Sequence, residues 1–319
     1  MPTAPFRTLA PADLPAPDWY QYLISAVAPR PIAFASTVSA GGHVNLSPFS
    51  FFNLMSANPP ILVFSPANRA RDNAEKDTLR NVREVPEVVI NIADYALVEQ
   101  LSLASAEYPA EVNEFGKAGL TELPADLVRP PRVAECPAAF ECVVEQIIEL
   151  GEAQGHGNLV ICRVVKAHFR EELLLENGHG LDPRKFTAIS RLGGDWYGRV
   201  APETLFTVSR PNRRLGIGFD ALPAHIRHSP LLSGTHLARL ANVEAEALPT
   251  AADIEAIRTE PMAAYLLNKH RADPAELSQQ LTLLARQWLE NGRVAEAWRV
   301  LLAPELATGA AAGATSVKV

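Results

Sequence analysis

Two runs, AAFECVVEQIIELG at 138–151 and HGNLVICRVVKAHFREELL at 156–174, are rich in β-branched residues and alternate roughly in polarity. That period reads as a pair of long strands, and the glycines between them favour a hairpin within a sheet or barrel. Upstream, RPIAFASTVS and NPPILVFSP are shorter runs of the same kind, with Gly41 and Gly42 supplying turn residues after the first. EVVINIAD, from Glu87, reads as another strand. The core of such a chain is mainly β.

Before residue 210, helical periodicity appears in two places. In KDTLRNVREV, Leu79, Val82 and Val85 share one helical face before Pro86 ends it. Residues 95–120 read as helical and then irregular, broken by Pro109 and Gly116. After about residue 210 the character changes. DPAELSQQLTLLARQWLENG places Asp273 at an N-cap, Pro274 at the first helical position, Glu276 at the reciprocal capping position and Gly292 beyond the end. Leu277, Leu281, Leu284 and Trp288 form one stripe that must pack, and packing back onto the chain's own barrel is the expectation. Residues 235–246, 251–268 (disturbed by Pro261) and 293–303 are weaker helix candidates. The expected organisation is an N-terminal Pro/Ala-rich arm with little regular structure at 1–18, a β domain at 19–210, and a connector with a helical extension at 211–319 whose end, ATGAAAGATSVKV, frays.

Charge narrows the function classes. The formal net charge is −7 with no long Lys/Arg run, so neither nucleic acid nor an anionic membrane is an expected partner. Cys136, Cys142 and Cys162 lack the spacing of a disulfide framework or a four-cysteine zinc site. No apolar run reaches 18 residues and the start does not read as a secretory signal, so a cytoplasmic location is expected. His225, His228 and His236 lack the spacing of a closed zinc site, and no metal is expected. GxSxG, Walker A and GxGxxG motifs are absent.

The segment HVNLSPFSFFNLMSANPPILVFSP, from His43 to Pro66, mixes phenylalanines with Asn45, Ser47, Ser50 and Asn53. It suits a planar ligand that needs an apolar face and directed polar groups at one edge. The alternative is that serines and asparagines cap turns while Phe49, Phe51 and Phe52 fill the core. A helix starting at Thr78 would aim free N–H groups at a small anion, aided by Lys76 and the Thr78 hydroxyl; ordinary capping by Asp77 or Thr78 is the competing account.

Together, PRPIAFASTVSAGGHVNLSPFSFFNLMSANPPILVFSP, KDTLRNVREVPEVVINIAD, EVNEFGKAGL and ISRLGGDWYGRV resemble the flavin-reductase-like family, in that order and over residues 20–208. The resemblance implies an FMN-binding split β-barrel with short helices, here with an α-helical C-terminal extension. It implies that Ser36 and Thr37 lie near the flavin phosphate, that Asn45, Leu46, Ser47, Pro48, Ser50 and Phe51 line the ring, and that Lys76, Asp77 and Thr78 hold the phosphate. Asn53 and Ser65 are placed at the ring-side loop or ribityl chain, with turn bonding and strand termination as equal alternatives. Glu114 and Phe115 match the EF signature and border the flavin or its redox partner, or are a solvated acid beside a core ring. His156 and Tyr197 match positions on the nicotinamide side, or are a hairpin histidine and a buried tyrosine.

Family members form homodimers, and many transfer hydride from NADH or NADPH to FMN and on to free flavin, another small electron acceptor or a protein redox partner. The resemblance therefore implies an NAD(P)H:flavin reductase, with an FMN electron carrier that does not oxidise NAD(P)H as the alternative. No catalytic side chain is implied, because backbone donors suffice to orient the ring.

Overall fold

The computed structural model describes residues 5–208 and 215–307. Residues 308–319 of the tail expected to fray, and residues 1–4 of the arm, lie outside the described residues. The chain divides into two compact units, Met1–Phe206 and Thr207–Val319.

Among the described residues the first unit carries twelve strands: β1 Arg30–Pro31, β2 Ala33–Val38, β3 Val44–Phe49, β4 Phe52–Ala57, β5 Pro60–Phe64, β6 Glu87–Ile92, β7 Glu122–Leu123, β8 Arg132–Val133, β9 Ala138–Glu149, β10 Asn158–Phe169, β11 Ile189–Arg191 and β12 Tyr197–Arg199. Seven of them form one sheet in the order β3-β2-β6-β9-β10-β5-β4; β1-β11-β12 and β7-β8 are small sheets of their own. Every pairing in the large sheet is antiparallel.

Chain connectivity curls this sheet. β3 and β4 stand at opposite edges, yet only Ser50 and Phe51 separate Phe49 from Phe52. Three backbone steps reach roughly 11 Å at most, whereas six spacings of about 4.8 Å in a flat sheet amount to roughly 29 Å. The two edges must therefore meet without pairing, which makes a barrel split between β3 and β4. Bulges in β9–β10 and β4–β5 add the local bend this requires.

β2 is buried at all six positions because both of its faces are covered. Ala33 and Ala35 join Leu79 and Val82 of α2 (Asp77–Glu84) in one apolar cluster, while Phe34 joins Leu101 of α3 (Val98–Leu103) and Phe115 of α4 (Glu114–Ala118) in another. α2 begins one residue earlier than the Thr78 start read from the sequence and stops before Pro86, which cannot continue it. The arm corrects one expectation: residues 16–18 already belong to α1 (Ala16–Ala26), with Pro17 in its first turn, where the missing N–H costs no helical bond.

The second unit contains α5 (Ala224–Arg227), α6 (Gly234–Ala241), α7 (Ala251–Glu255), α8 (Pro261–Lys269), α9 (Pro274–Glu290) and α10 (Val294–Ala307). Asp273 caps α9 by accepting from the Ala275 and Glu276 amides, both at 3.1 Å. Glu276 does not return the bond; its carboxylate takes the Gln280 amide instead. The Leu277, Leu281, Leu284 and Trp288 stripe is buried in the unit's own core with residues of α6, α8 and α10, which corrects the expectation that it packs on the barrel. Pro261 starts α8 rather than disturbing a longer helix. No helix among the described residues is long and apolar enough to cross a membrane.

Candidate functional site

The residues at the start of α2 are tied to the barrel by a buried polar network. Asn45 on β3 donates through Nδ2 to the Thr78 hydroxyl at 2.8 Å and to the Thr37 hydroxyl at 3.4 Å. Asn81, one turn along α2, donates to the same Thr37 oxygen at 3.1 Å. All four side chains are buried, so these bonds stand in for water and fix the helix end against β2 and β3.

Lys76 is the N-cap of α2, and no side chain caps the helix. The ordinary capping account is thereby corrected: Asp77 instead contacts Arg80, and Thr78 is engaged with Asn45. The first turn faces a small cavity bordered by Asn45, Ser47, Arg69, Lys76, Thr78 and Glu114. Its cations are matched by surface carboxylates, Lys76 with Glu107 at 3.4 Å and Arg69 with Asp72 at 3.4 Å. Such part-exposed pairs are weak and exchangeable. Arg69 Nε is buried and makes no hydrogen bond, since the Asp72 oxygen is near enough for an ion pair but not aligned.

Glu114 is buried at the same cavity, contrary to a solvated reading of it, and accepts the Leu46 N–H at 2.9 Å. Burial pushes its carboxyl above the usual range, against the pull of that bond. Leu46 lies on the barrel's free edge strand, so this bond satisfies an edge donor; Pro48, two residues on, has no donor to satisfy.

The far end of β3 opens on a second cavity of about 190 Å³ lined by Ile32, Pro48, Ser50, Leu101, Ser105, Arg191 and Tyr197. Ser105 borders both cavities. Arg191 stacks on the Tyr197 ring with its guanidinium 4.4 Å from the centroid. Arg30 points its Nε at the Ser50 hydroxyl at 3.5 Å.

The structure thus brings Asn45, Ser47, Pro48, Ser50, Lys76, Asp77, Thr78, Glu114 and Tyr197 to the two cavities along β3, with Thr37 buried behind Asn45. Other expected residues fall elsewhere. Ser36 faces the opposite side of β2, where its hydroxyl donates to the Pro131 carbonyl. The Leu46 and Phe115 side chains lie in the core. Phe49 and Phe52 belong to the core, but Phe51 does not; it sits in the split, 40% exposed, with its ring edge-to-face with Tyr20. Asn53 bonds the Leu54 amide next to it, and the Ser65 hydroxyl is buried without a hydrogen-bond partner while its amide donates to the Phe51 carbonyl. His156 lies in the β9–β10 turn, its carbonyl accepting from the Asn68 amide, and lines neither cavity. Arg30, Arg69, Ser105 and Arg191 were not legible as site residues, because each reaches the site only through tertiary contacts.

Asp126, Glu141 and His168 are close enough to share an ion. Glu141 already accepts the Asp126 and Leu127 amides and His168 Nε2, and Asp126 contacts Lys166, so the cluster is internally satisfied. His236 is likewise engaged: its Nδ1 accepts the Ser233 amide in a capping box.

The model of the flavin reductase like domain matches residues 25–187. An uncharacterized protein of Halalkalibacterium halodurans is 39% identical over 205 residues, covering 64% of this chain and 96% of that one. YwrF of Bacillus subtilis, also uncharacterized, is 37% identical over 203 residues, 63% of this chain and 97% of its own. Among solved structures, nitrilotriacetate monooxygenase component B from Bacillus cereus superposes with a TM-score of 0.60 at 32% identity, covering 65% of this chain and all of that chain. The 2-nitrobenzoate 2-nitroreductase NbaA of Pseudomonas fluorescens gives 0.57 at 28%, over 64% and 96% of the two chains. The chain belongs to the flavin-reductase-like family, and its first unit is a split barrel of that family. It is accordingly a flavin-related oxidoreductase; the family match ends before the helical unit begins.

Proposed function

We propose that the first unit binds FMN along β3 and acts as an NAD(P)H:flavin oxidoreductase. The carrying observation is the pairing of an uncapped helix start beside an unbonded Arg69 Nε with a slot, at the other end of the same strand, that sets Ile32, Leu101 and Tyr197 beside the polar Ser50, Ser105 and Arg191. From Asn45 to Ser50 is five strand steps, roughly 17 Å, a span suited to a phosphate at one end and a tricyclic ring at the other. The donor set fits the group: N–H groups and cations for a dianion, apolar walls and hydroxyls for a ring.

In this reading the α2 amides, Lys76 and Arg69 hold the phosphate, displacing the Glu107 and Asp72 carboxylates that now balance those cations. Thr37, Asn45 and Asn81 keep the helix end in place, and Ser47, Pro48 and Ser50 present the ring-side wall. The chemistry such a flavin supplies is two-electron transfer, taken up as hydride from NADH or NADPH and passed to free flavin, another small acceptor or a protein. A second copy of the chain is proposed to cover the apolar side chains exposed on α1, at its C-cap and on β4, among them Tyr22, Leu23, Val27, Leu54 and Met55. Light scattering of the purified protein tests this, and a monomer at all concentrations refutes it.

Anaerobic mixing of FMN-reconstituted protein with NADH and with NADPH tests the activity. Loss of the oxidised flavin band with either donor is expected. FMN that binds but is reduced only by a protein donor would replace the reductase reading with an electron carrier.

A further inference from the structure

The small sheet beside the ring-side cavity contains a feature that its own stability does not explain. In the β1–β11 pairing, Arg30 and Arg191 are direct cross-strand partners. Like charges in direct register repel and weaken a strand pair. Neither guanidinium meets a carboxylate among the described residues. Arg30 is buried and spends its donors on neutral groups, the Ile24 carbonyl, the Val27 carbonyl at 2.7 Å and the Leu192 carbonyl at 2.9 Å, besides Ser50. Arg191 donates to the Gly194 carbonyl at 2.9 Å and stacks on Tyr197. Burial lowers the Arg30 pKa, and the nearby Arg191 charge lowers it further.

The contrast with the other end of the site is informative. There, Lys76, Arg69 and Arg80 each pair with a carboxylate. At the ring end, two adjacent cations are held by carbonyls that orient them without cancelling their charge. Arg191 lines the cavity itself, and Arg30 bonds the Ser50 that lines it. A fold that retains such a pair gains from any anion placed between them and the slot.

We propose that the Arg30–Arg191 pair holds the negative charge that a flavin ring acquires on reduction, with Arg191 facing the ring and Arg30 positioning Ser50 and β11. This rests on the FMN reading above. Hydride transfer breaks a C–H bond of a neutral dihydronicotinamide and forms an N–H bond on a neutral ring. The nicotinamide leaves as a cation, and the ring keeps one negative charge until a second proton arrives. Charge at that ring edge is therefore larger in the product than in the reactant, and a fixed cation pair favours the reduced form selectively.

The test compares affinities for oxidised FMN and for anaerobically photoreduced FMN in the full-length apo-protein, Arg191→Gln and Arg191→Lys. Arg191→Gln is expected to weaken binding of reduced FMN at least tenfold more than binding of oxidised FMN. For a two-electron couple, that corresponds to a fall of about 30 mV in the bound-flavin midpoint potential per tenfold. Arg191→Lys, which keeps the charge, should restore most of the difference. Equal losses for the two redox forms, or no loss in either variant, overturn the charge role while leaving FMN binding standing. A parent protein that takes up neither form of FMN removes both this proposal and the flavin assignment.

Discussion

Replacing Thr78 by valine keeps the side chain's shape and removes one oxygen, the acceptor for Asn45 Nδ2 at 2.8 Å. Asn45 is 7% exposed, and its remaining acceptor, the Thr37 hydroxyl, is 3.4 Å away and already takes the Asn81 amide. Water has poor access, so much of the desolvation cost of a buried donor is uncovered, about 1–3 kcal/mol. Taking about 2 kcal/mol, the barrel unit should melt roughly 4–8 °C lower, as expected for a domain of about 150–250 residues. Scanning calorimetry of the full chain, resolving the barrel transition from that of the helical unit, reads the shift. The same substitution should weaken FMN binding, because the α2 start loses its tether to β3. Asn45→Ala combined with Thr78→Val should cost less than the sum of the two, since both break one bond. A barrel transition within about 1 °C of the parent, or strict additivity, would mean that the network does not hold the helix end.

Lys76→Ala should leave stability within about 0.5 kcal/mol and weaken FMN roughly fivefold, about 1 kcal/mol for a charge at a part-exposed position, as read by fluorescence titration. Glu114→Gln tests the buried carboxyl: its raised pKa means the folded state holds the proton more tightly, a contribution complete below the ordinary glutamate range and lost as pH rises through the folded value. Urea unfolding at pH about 4 to 8 should therefore show the variant gaining on the parent as pH rises, and a constant difference would contradict it. Glu141→Ala strands the Asp126 and Leu127 amides and should cost about 2–4 kcal/mol in the barrel transition, with no loss of FMN affinity per folded molecule. Leu281→Ala, at a position 1% exposed in the helical core, should cost about 2–5 kcal/mol in the helical transition alone.

Much of this architecture is written in local patterns. The β9–β10 hairpin follows from a long period-two alternation, α2 from Leu79 and Val82 before Pro86, and the α9 start from the Asp273–Pro274 pair. The misses come from forces that act over distance. Phe49 and Phe51 look alike in sequence, but the closure that brings β3 against β4 turns one inward and leaves the other in the split. α1 hides behind prolines that sit where a helix tolerates them. Glu114 reads as a surface acid until α4 lays it against an edge-strand amide. Arg30 and Arg191 become partners only when β11 returns to β1, so no spacing rule within either segment announces them. The α9 stripe correctly announces burial, but an amphipathic pattern does not name the surface that receives it.

Equilibrium titration of the correctly folded, full-length apo-protein with FMN tests the central claim most directly. A saturable change in flavin fluorescence at one FMN per chain, weakened by Lys76→Ala, is the predicted result. A folded protein that leaves flavin fluorescence unchanged at every ratio would contradict the claim that β3 and the start of α2 form a flavin mononucleotide seat.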